Sequence, residues 1–355
     1  MVLLDLQKAF YTVNYGILLM KLKAIGLNSN AILWFQSYLT DRHQLVDISG
    51  VFSDKAVVTC GVPQGSILGP LLFLIYVNDM SEVIKTKLLL YADDSGILVH
   101  GQSIADIEIL LSAELERVSE WLVDNKLSLH LGKTESILFG SKPKLRSKCS
   151  LNISCNGTSI QAKSSVKYLG AILDQNLSCN EIARSVVNKS NARLKYLYRK
   201  SNFLDFHTRK TLVMSLVQCH FDYVCSFWYP SLSQYWKTRL QTTQNKLVRF
   251  VLNMNSRSHV GIEQFKSLNW LPVSKRVDQL TLCHVHKIKS DMSPNYLKEK
   301  FVPLNNVHDR FSRSRVSVVA KTDSNSYDFC DTGRFSLPKV GSFDRKSFAF
   351  NGIVL

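Results

Sequence analysis

No stretch of this chain approaches 18 consecutive apolar residues, and the longest apolar run, Ile67 to Val77, is too short to cross a bilayer as a helix. No signal peptide is read at the N-terminus either, because Asp5 and Lys8 interrupt its apolar segment. The eight cysteines contain no Cys-x-x-Cys pair. Cys219-His220 with Cys225, and Cys283-His284 with His286, lack the second half of a zinc site. These absences argue against a secreted disulfide scaffold and predict free thiols in a reducing, intracellular setting, nuclear or cytoplasmic. The four Asn-x-Ser/Thr sequons, at Asn152, Asn156, Asn176 and Asn188, are then expected to stay unglycosylated. Low-complexity sequence is also scarce, and 45% hydrophobic content over 355 residues suffices for one large core or two modest ones.

Acidic residues are scarce in one part only. Residues 1–140 hold 10 Lys and Arg against 15 Asp and Glu, whereas residues 141–355 hold 34 against 13, so the net charge of +16 comes wholly from the later part. A basic region joined to an acidic one suits a polyanion gripped by one part and processed by the other. Basic and aromatic residues alternate in Arg193-Leu194-Lys195-Tyr196-Leu197-Tyr198-Arg199-Lys200 and Trp236-Lys237-Thr238-Arg239. Phosphate contact plus ring stacking is how single strands and hybrid duplexes are held, although such a run is also what a solvated helix face looks like.

The acidic part carries the chemistry. Tyr91-Ala92-Asp93-Asp94 stands between two apolar runs, Lys87 to Tyr91 and Gly96 to Val99, which read as a hairpin with Asp-Asp-Ser-Gly as its turn. Adjacent carboxylates on an apolar hairpin repel each other unless a cation neutralises them. Hard oxygen donors suit Mg²⁺ or Mn²⁺. Taken alone, the pair reads equally as the cap of a solvated turn. Val2-Leu3-Leu4-Asp5-Leu6 supplies a third acid inside a run that reads as a buried strand. Two-metal phosphoryl transfer needs carboxylates from separate strands, and Asp5 with Asp93 and Asp94 forms such a trio. Gly61-Val62-Pro63-Gln64-Gly65-Ser66 then offers a backbone that a ligand can approach closely, ahead of an apolar helix.

With these residues in view, the chain resembles the reverse transcriptase of non-LTR retrotransposons of the jockey and CR1-like kind. Asp5-Leu6-Gln7-Lys8-Ala9-Phe10 is similar to polymerase motif A, Gly61 to Phe73 to motif B, and Tyr91-Ala92-Asp93-Asp94 to motif C. Asn125-Lys126-Leu127-Ser128-Leu129, with Lys133-Thr134 and the run Ser136 to Phe139, resembles motif D, and Tyr168-Leu169-Gly170 resembles the primer-grip hairpin of motif E. The likeness is strong to about residue 175 and looser beyond, through Trp270-Leu271-Pro272-Val273 and Pro294-Asn295-Tyr296-Leu297.

The resemblance implies roles and partners. Asp5 and Asp93 would be the main ligands of Mg²⁺ (or Mn²⁺), with Asp94 the weaker third. Ala9 and Phe10 would face the incoming triphosphate, with Phe10 as the gate against a 2′-hydroxyl. Gln64 and Gly65 would line the nucleotide and template side, and Lys133 would assist the departing pyrophosphate. Outside that context Phe10 reads as core and Lys133 as a solvated surface lysine. The implied partners are an RNA template, a DNA primer and deoxynucleoside triphosphates; no membrane is implied and the oligomeric state is open. Departures occur at Tyr11, Asn14 and Tyr15, where relatives carry acids or histidine. Only four residues precede Asp5, and Gly352-Ile353-Val354-Leu355 ends abruptly, so a truncated or decayed copy lacking the fingers region is expected. A non-catalytic nucleic-acid-binding remnant stays open as the alternative.

The fold class expected is α+β: a polymerase palm, with an antiparallel sheet and packed helices, over 1–175, a mostly helical thumb-like region over 176–300, and a basic, weakly ordered tail over 301–355. Gly26 should follow the end of a first helix as its C′ residue, Ser29 should cap the next, and strands are expected around Gln44 to Ile48 and Lys55 to Thr59. Ser103 to Asp106 should form a capping box opening a long helix with Ile104, Ile107, Leu111, Leu115, Val118 and Leu122 on one face. Residues 141–150 read as a basic loop, and Ile182 to Tyr198 and Thr208 to Cys219 as helices.

Overall fold

The computed structural model describes residues 1–145 and 151–299, with the backbone of two short paired strands at Phe301–Pro303 and Val318–Ala320. The basic loop expected over 141–150 is not wholly a loop, since Lys142–Leu145 form one helical turn in which the Leu145 amide donates to Ser141 O at 3.1 Å; the rest of it, 146–150, and most of the tail lie outside the described residues. Residues Met1–Trp270 form one compact unit and Leu271–Leu355 a second. The second contains the helix Val273–Lys289.

The class is α+β. Six strands form the main sheet: β1 (Val2–Asp5), β2 (Lys87–Tyr91), β3 (Asp94–Leu98), β4 (Glu135–Ser136), β5 (Ile153–Cys155) and β6 (Thr158–Ala162). Their order is β2-β3-β1-β4-β6-β5. The sheet is not wholly antiparallel as expected, since β6 runs parallel to β4. A separate hairpin, β7 (Ser165–Tyr168) with β8 (Ala171–Asp174), follows.

Strand periodicity assigns the two faces. Val2, Leu4, Leu6 and Ile97 belong to the large core, together with buried residues of α1 (Tyr15–Ala24), α2 (Ser29–Leu39), α3 (Leu68–Val77) and α4 (Ile104–Asp124). Leu3, Leu89 and Leu98 turn the other way, onto a small cluster with Val166, Tyr168 and Leu173 of the β7–β8 hairpin. Because side chains alternate along a strand, Asp5 shares the face of Leu3, and Asp94 that of Leu98. The carboxylates therefore project away from the helix-packed core.

The caps follow local chemistry. Ser103 Oγ accepts from the Asp106 amide and the Asp106 carboxylate accepts from the Ser103 amide, both at 3.1 Å, completing the expected capping box. Gly26, at φ +98°, donates to Lys23 O while Leu27 donates to Leu22 O, the paired bonds of a left-handed helix end. The cap of α2 is one residue earlier than expected: Asn28 accepts from the Ala31 amide at 2.9 Å. The strands after α2 are short and offset, with Arg42–Gln44 pairing Ala56–Val58 and Asp47–Ile48 pairing Val51–Phe52.

After the hairpin the first unit is helical: α5 (Asn180–Tyr198), α6 (Phe206–Val213) and α7 (Gln234–Val251). The helix expected over Thr208 to Cys219 does not run through, because α6 passes into a π-helical turn at Met214–Gln218. Leu194, Leu197, Val213, Val217, Trp228, Leu240, Leu247 and Phe250 are buried in this part.

Candidate active site

Asp5 ends β1 and stands directly across from Asp94 in β3. Cross-strand partners hold their Cβ atoms about 4.5–5.5 Å apart, so this register places two carboxylates side by side on one face. Asp93 is next to them in the turn. That turn is tighter than the Asp-Asp-Ser-Gly loop expected, since Tyr91 pairs with Asp94 and only Ala92 and Asp93 remain between the strands. Two-residue hairpin loops demand a positive φ, and Ala92 adopts φ 52°, a conformation that costs a residue with a Cβ about 1 kcal/mol or more.

Burial, then repulsion from Asp93 and Asp5, pushes the Asp94 carboxyl above the usual aspartate range. The Tyr168 phenol is raised too, by burial and by the charge of Asp94, so it stays protonated. Asp5 is not enclosed in a core strand as its apolar neighbours suggested: 43% of its side chain is exposed. Lys133 Nζ lies 3.9 Å from Asp5 Oδ2, itself two-thirds exposed. The turn carrying Lys133 is fixed to the same strand, because the His130 amide donates to Asp5 O at 2.8 Å and the Lys133 amide donates to His130 O at 2.9 Å.

These groups border a cleft of about 340 Å³ lined by Asp5, Asp94, Lys133, Glu135, Lys167 and Tyr168 among others. Glu135 and Lys167 were not anticipated. Glu135 stands between Lys133-Thr134 and the run from Ser136, and Lys167 directly precedes Tyr168-Leu169-Gly170, but nothing in those stretches singles either out, and it is the pairing of β4 beside β1 and the placement of the β7–β8 hairpin that bring them to the cleft. Glu135 is already engaged by Lys163.

The four residues expected around a nucleotide form a second group that does not line this cleft. Ala9 is buried in a short 3₁₀ turn, Ala9–Tyr11. Phe10 stacks on Phe73 of α3 at 4.4 Å between ring centroids. The glycine-rich loop docks onto this segment: the Gly61 amide donates to Val13 O and the Val62 amide to Phe10 O, both at 2.8 Å. Gly61 has φ +89°, and a Cβ there would lie 2.7 Å from Tyr11 O, so only glycine permits the approach. Tyr11 donates its hydroxyl proton to Gln64 Oε1 at 2.6 Å, which orients the amide. Gly65, at φ +80°, faces open space. The structure thus joins Ala9 and Phe10 to the loop of Gln64 and Gly65, and Asp5 to Asp94 and Lys133.

The donor chemistry of Asp5, Asp93 and Asp94 fits a hard divalent cation, which would offset both the burial and the repulsion from Asp93 and Asp5 that raise the Asp94 carboxyl. As the side chains stand, no three His, Cys, Asp or Glu among the described residues converge into a metal-holding group. The trio is adjacent on the backbone without forming a closed cage.

Residues 1–173 match the family described as reverse transcriptase (RNA-dependent DNA polymerase). The chain is similar to the "Probable RNA-directed DNA polymerase from transposon X-element" of Drosophila melanogaster, 25% identical over 70% of this chain and 28% of the relative. It is likewise similar to the "RNA-directed DNA polymerase from mobile element jockey" of the same fly, 28% identical over 60% of the chain and 24% of the relative. The "Retrovirus-related Pol polyprotein from type-1 retrotransposable element R1" of Bradysia coprophila is 28% identical over 75% of the chain and 26% of its own length. The chain spans about a quarter of the length of these relatives. The carboxylate-bearing sheet and its docked glycine loop lie inside the matched segment, and residues 1–173 belong to the reverse transcriptase family, alongside the polymerases of jockey-like non-LTR elements.

Proposed function

We propose that the chain carries the catalytic palm of an RNA-directed DNA polymerase that extends a DNA primer on an RNA template with deoxynucleoside triphosphates. The observation that supports this most is the register of Asp5 against Asp94, with Asp93 in the adjoining two-residue turn and Lys133 on the same cleft. Asp5 and Asp93, with Asp94 as the weaker third, would hold Mg²⁺ (or Mn²⁺), which when bound lowers the barrier to attack of the primer 3′-oxygen on the α-phosphate. Lys133 supplies positive charge beside Asp5, where pyrophosphate would leave. The ring of Phe10, braced by Phe73, sets a fixed wall against a 2′-hydroxyl, and Gln64, oriented by Tyr11, stands on the nucleotide and template side. On this reading residues 1–175 are the palm, 176–300 a thumb-like region and 301–355 a basic tail that adds to nucleic-acid grip.

Primer extension on poly(rA) with oligo(dT), dTTP and Mg²⁺ tests the proposal, comparing the chain with Asp93→Ala after circular dichroism confirms that both fold. Extension by the parent and its loss in the variant is the expected result. No extension from a folded parent would overturn it and leave a protein that binds nucleic acid without acting on it.

A further inference from the structure

The glycine-rich loop is fixed at both ends and open at its tip. At one end the Gly61 and Val62 amides bond to Val13 O and Phe10 O, and Cys60 Sγ donates to Tyr11 O at 3.2 Å. At the other end Ser66 Oγ donates to Pro63 O at 2.8 Å and accepts from the Gly69 amide at 2.9 Å, while a Cβ on Gly69 would lie 2.5 Å from Pro63 O. Pro63, Gln64, Gly65 and Ser66 form a tight turn between them, closed by the Ser66 amide on Pro63 O at 3.4 Å, with Gly65 in third place at the positive φ that a type II turn requires there. Gln64 therefore stands at the exposed corner of a fixed turn.

Its side chain is held by a group from outside the loop. Tyr11 Oη donates to Gln64 Oε1 at 2.6 Å, and among the described residues the Gln64 amide makes no other side-chain hydrogen bond. Tyr11 is itself anchored, because its amide donates to Lys8 O at 2.8 Å in the 3₁₀ turn that Lys8 enters at a left-handed φ of 48°. Tyr11 is 56% exposed, so this bond forms against water and contributes little to stability. What it sets is polarity. A phenol gives its proton to the carbonyl end of the amide, which leaves the NH₂ end, with its two donors, turned away from Tyr11. An acid at this position could only accept, so it would take the NH₂ and leave a carbonyl oxygen facing out. Tyr11 thus decides whether the corner of the loop offers donors or an acceptor.

We infer that Tyr11 is a positioning residue for the nucleotide: by holding the Gln64 carbonyl it aims the amide donors at an acceptor atom of the incoming deoxynucleoside triphosphate. Phe10 lies in the same 3₁₀ turn but is braced separately, by Phe73, so removing the Tyr11 hydroxyl leaves that ring in place. This role rests on the polymerase reading, which brings the nucleotide to Gln64.

Steady-state primer extension by the full chain on poly(rA) with oligo(dT) and Mg²⁺, at varied dTTP, tests it. Tyr11→Phe should raise KM for dTTP about threefold or more, the size of one hydrogen bond, with kcat unchanged. The same substitution in a Gln64→Ala background should add nothing further, because Tyr11 acts through that amide. Gln64→Glu keeps one oxygen for Tyr11 and puts a second where the donors were, so it should raise KM more than Tyr11→Phe does. In Tyr11→Phe the preference for dTTP over UTP and the Tm should both stay at the parent's values. A loss of either would mean that the hydroxyl holds the turn and not the amide, and would overturn the role. So would an equal rise in KM in the Gln64→Ala background, or a Gln64→Glu variant whose KM matches the parent's. A parent that extends the primer while Tyr11→Phe keeps the same KM sinks this role alone. A folded parent that extends nothing sinks the polymerase reading, and this role with it.

Discussion

Asp94 pairs with Asp5 across the strands and adjoins Asp93, so three acids share one short stretch of sheet surface. Burial and these neighbours raise its carboxyl, which means that the fold disfavours its charged form. The cost is therefore present at neutral pH and fades as the pH falls below the ordinary aspartate range, where the group is protonated whether folded or not. Asp94→Asn should raise Tm at pH 7 in EDTA by roughly 1–2 °C, screened as it is by solvent, with the gain lost near pH 3. A lower Tm at pH 7 would mean that the carboxylate is a net hydrogen-bond acceptor for the fold. Gly61 invites the opposite change. With φ +89° and Tyr11 O at 2.7 Å from any added Cβ, Gly61→Ala should cost about 2 kcal/mol or more in urea unfolding and shift the loop that carries Gln64. Unchanged stability would show that the loop can move off Tyr11. The acids and this glycine were readable in sequence because each breaks its local pattern. Glu135 and Lys167 break none, and only strand pairing revealed them.

At the level of elements, α1, α3 and α4 are tied by one side chain. Tyr76, fully buried in α3, donates to Asn125 O just past α4 at 2.5 Å and accepts from the Asn14 amide that precedes α1 at 3.3 Å. Lys21 of α1 donates to Tyr76 O and Asp79 Oδ1, and its ammonium lies over the rings of Tyr76 and Trp121. Tyr76→Phe keeps the ring and strands one buried and one partly buried backbone group, so it should cost about 1–3 kcal/mol in denaturant unfolding with the m-value unchanged. A cost near zero would mean that water replaces the hydroxyl. Helices were the more legible elements: the capping box fixed the start of α4, and the apolar spacing followed it to Leu122, two residues short of its end. Strands were less so: Ser136 to Phe139 reads as a strand, while the ladder spans only Glu135–Ser136 and is extended by the bonds between Ile137 and Met1. The π-helical turn had no sequence signal; in the fold Leu216 O, within that turn, accepts from Arg193 of α5.

Across the whole molecule, charge is divided between the acidic first 140 residues and the basic remainder. Helix α7 carries Lys237, Arg239, Lys246 and Arg249 and no acid, and Arg184 of α5 lies over Trp236 while Arg239 lies over Tyr235. Affinity for an oligonucleotide should therefore fall about a hundredfold or more between 50 and 200 mM salt, and EDTA should abolish extension while leaving binding in place. Binding that required Mg²⁺ would move the grip from the basic part to the carboxylates. The sequence by itself determined which candidate groups there are and their order, acids at 5, 93 and 94, a glycine loop at 61–65 and a lysine at 133, because residue type and spacing are local properties. It also determined the α+β class through apolar periodicity and caps. Tertiary structure alone decided which acids face each other, that Ala9 and Phe10 dock with the loop of Gln64 and Gly65 as a group apart from the cleft, and that Glu135 and Lys167 join the cleft. Register, docking and shared walls are set by contacts between segments far apart in the chain, and no local pattern encodes them.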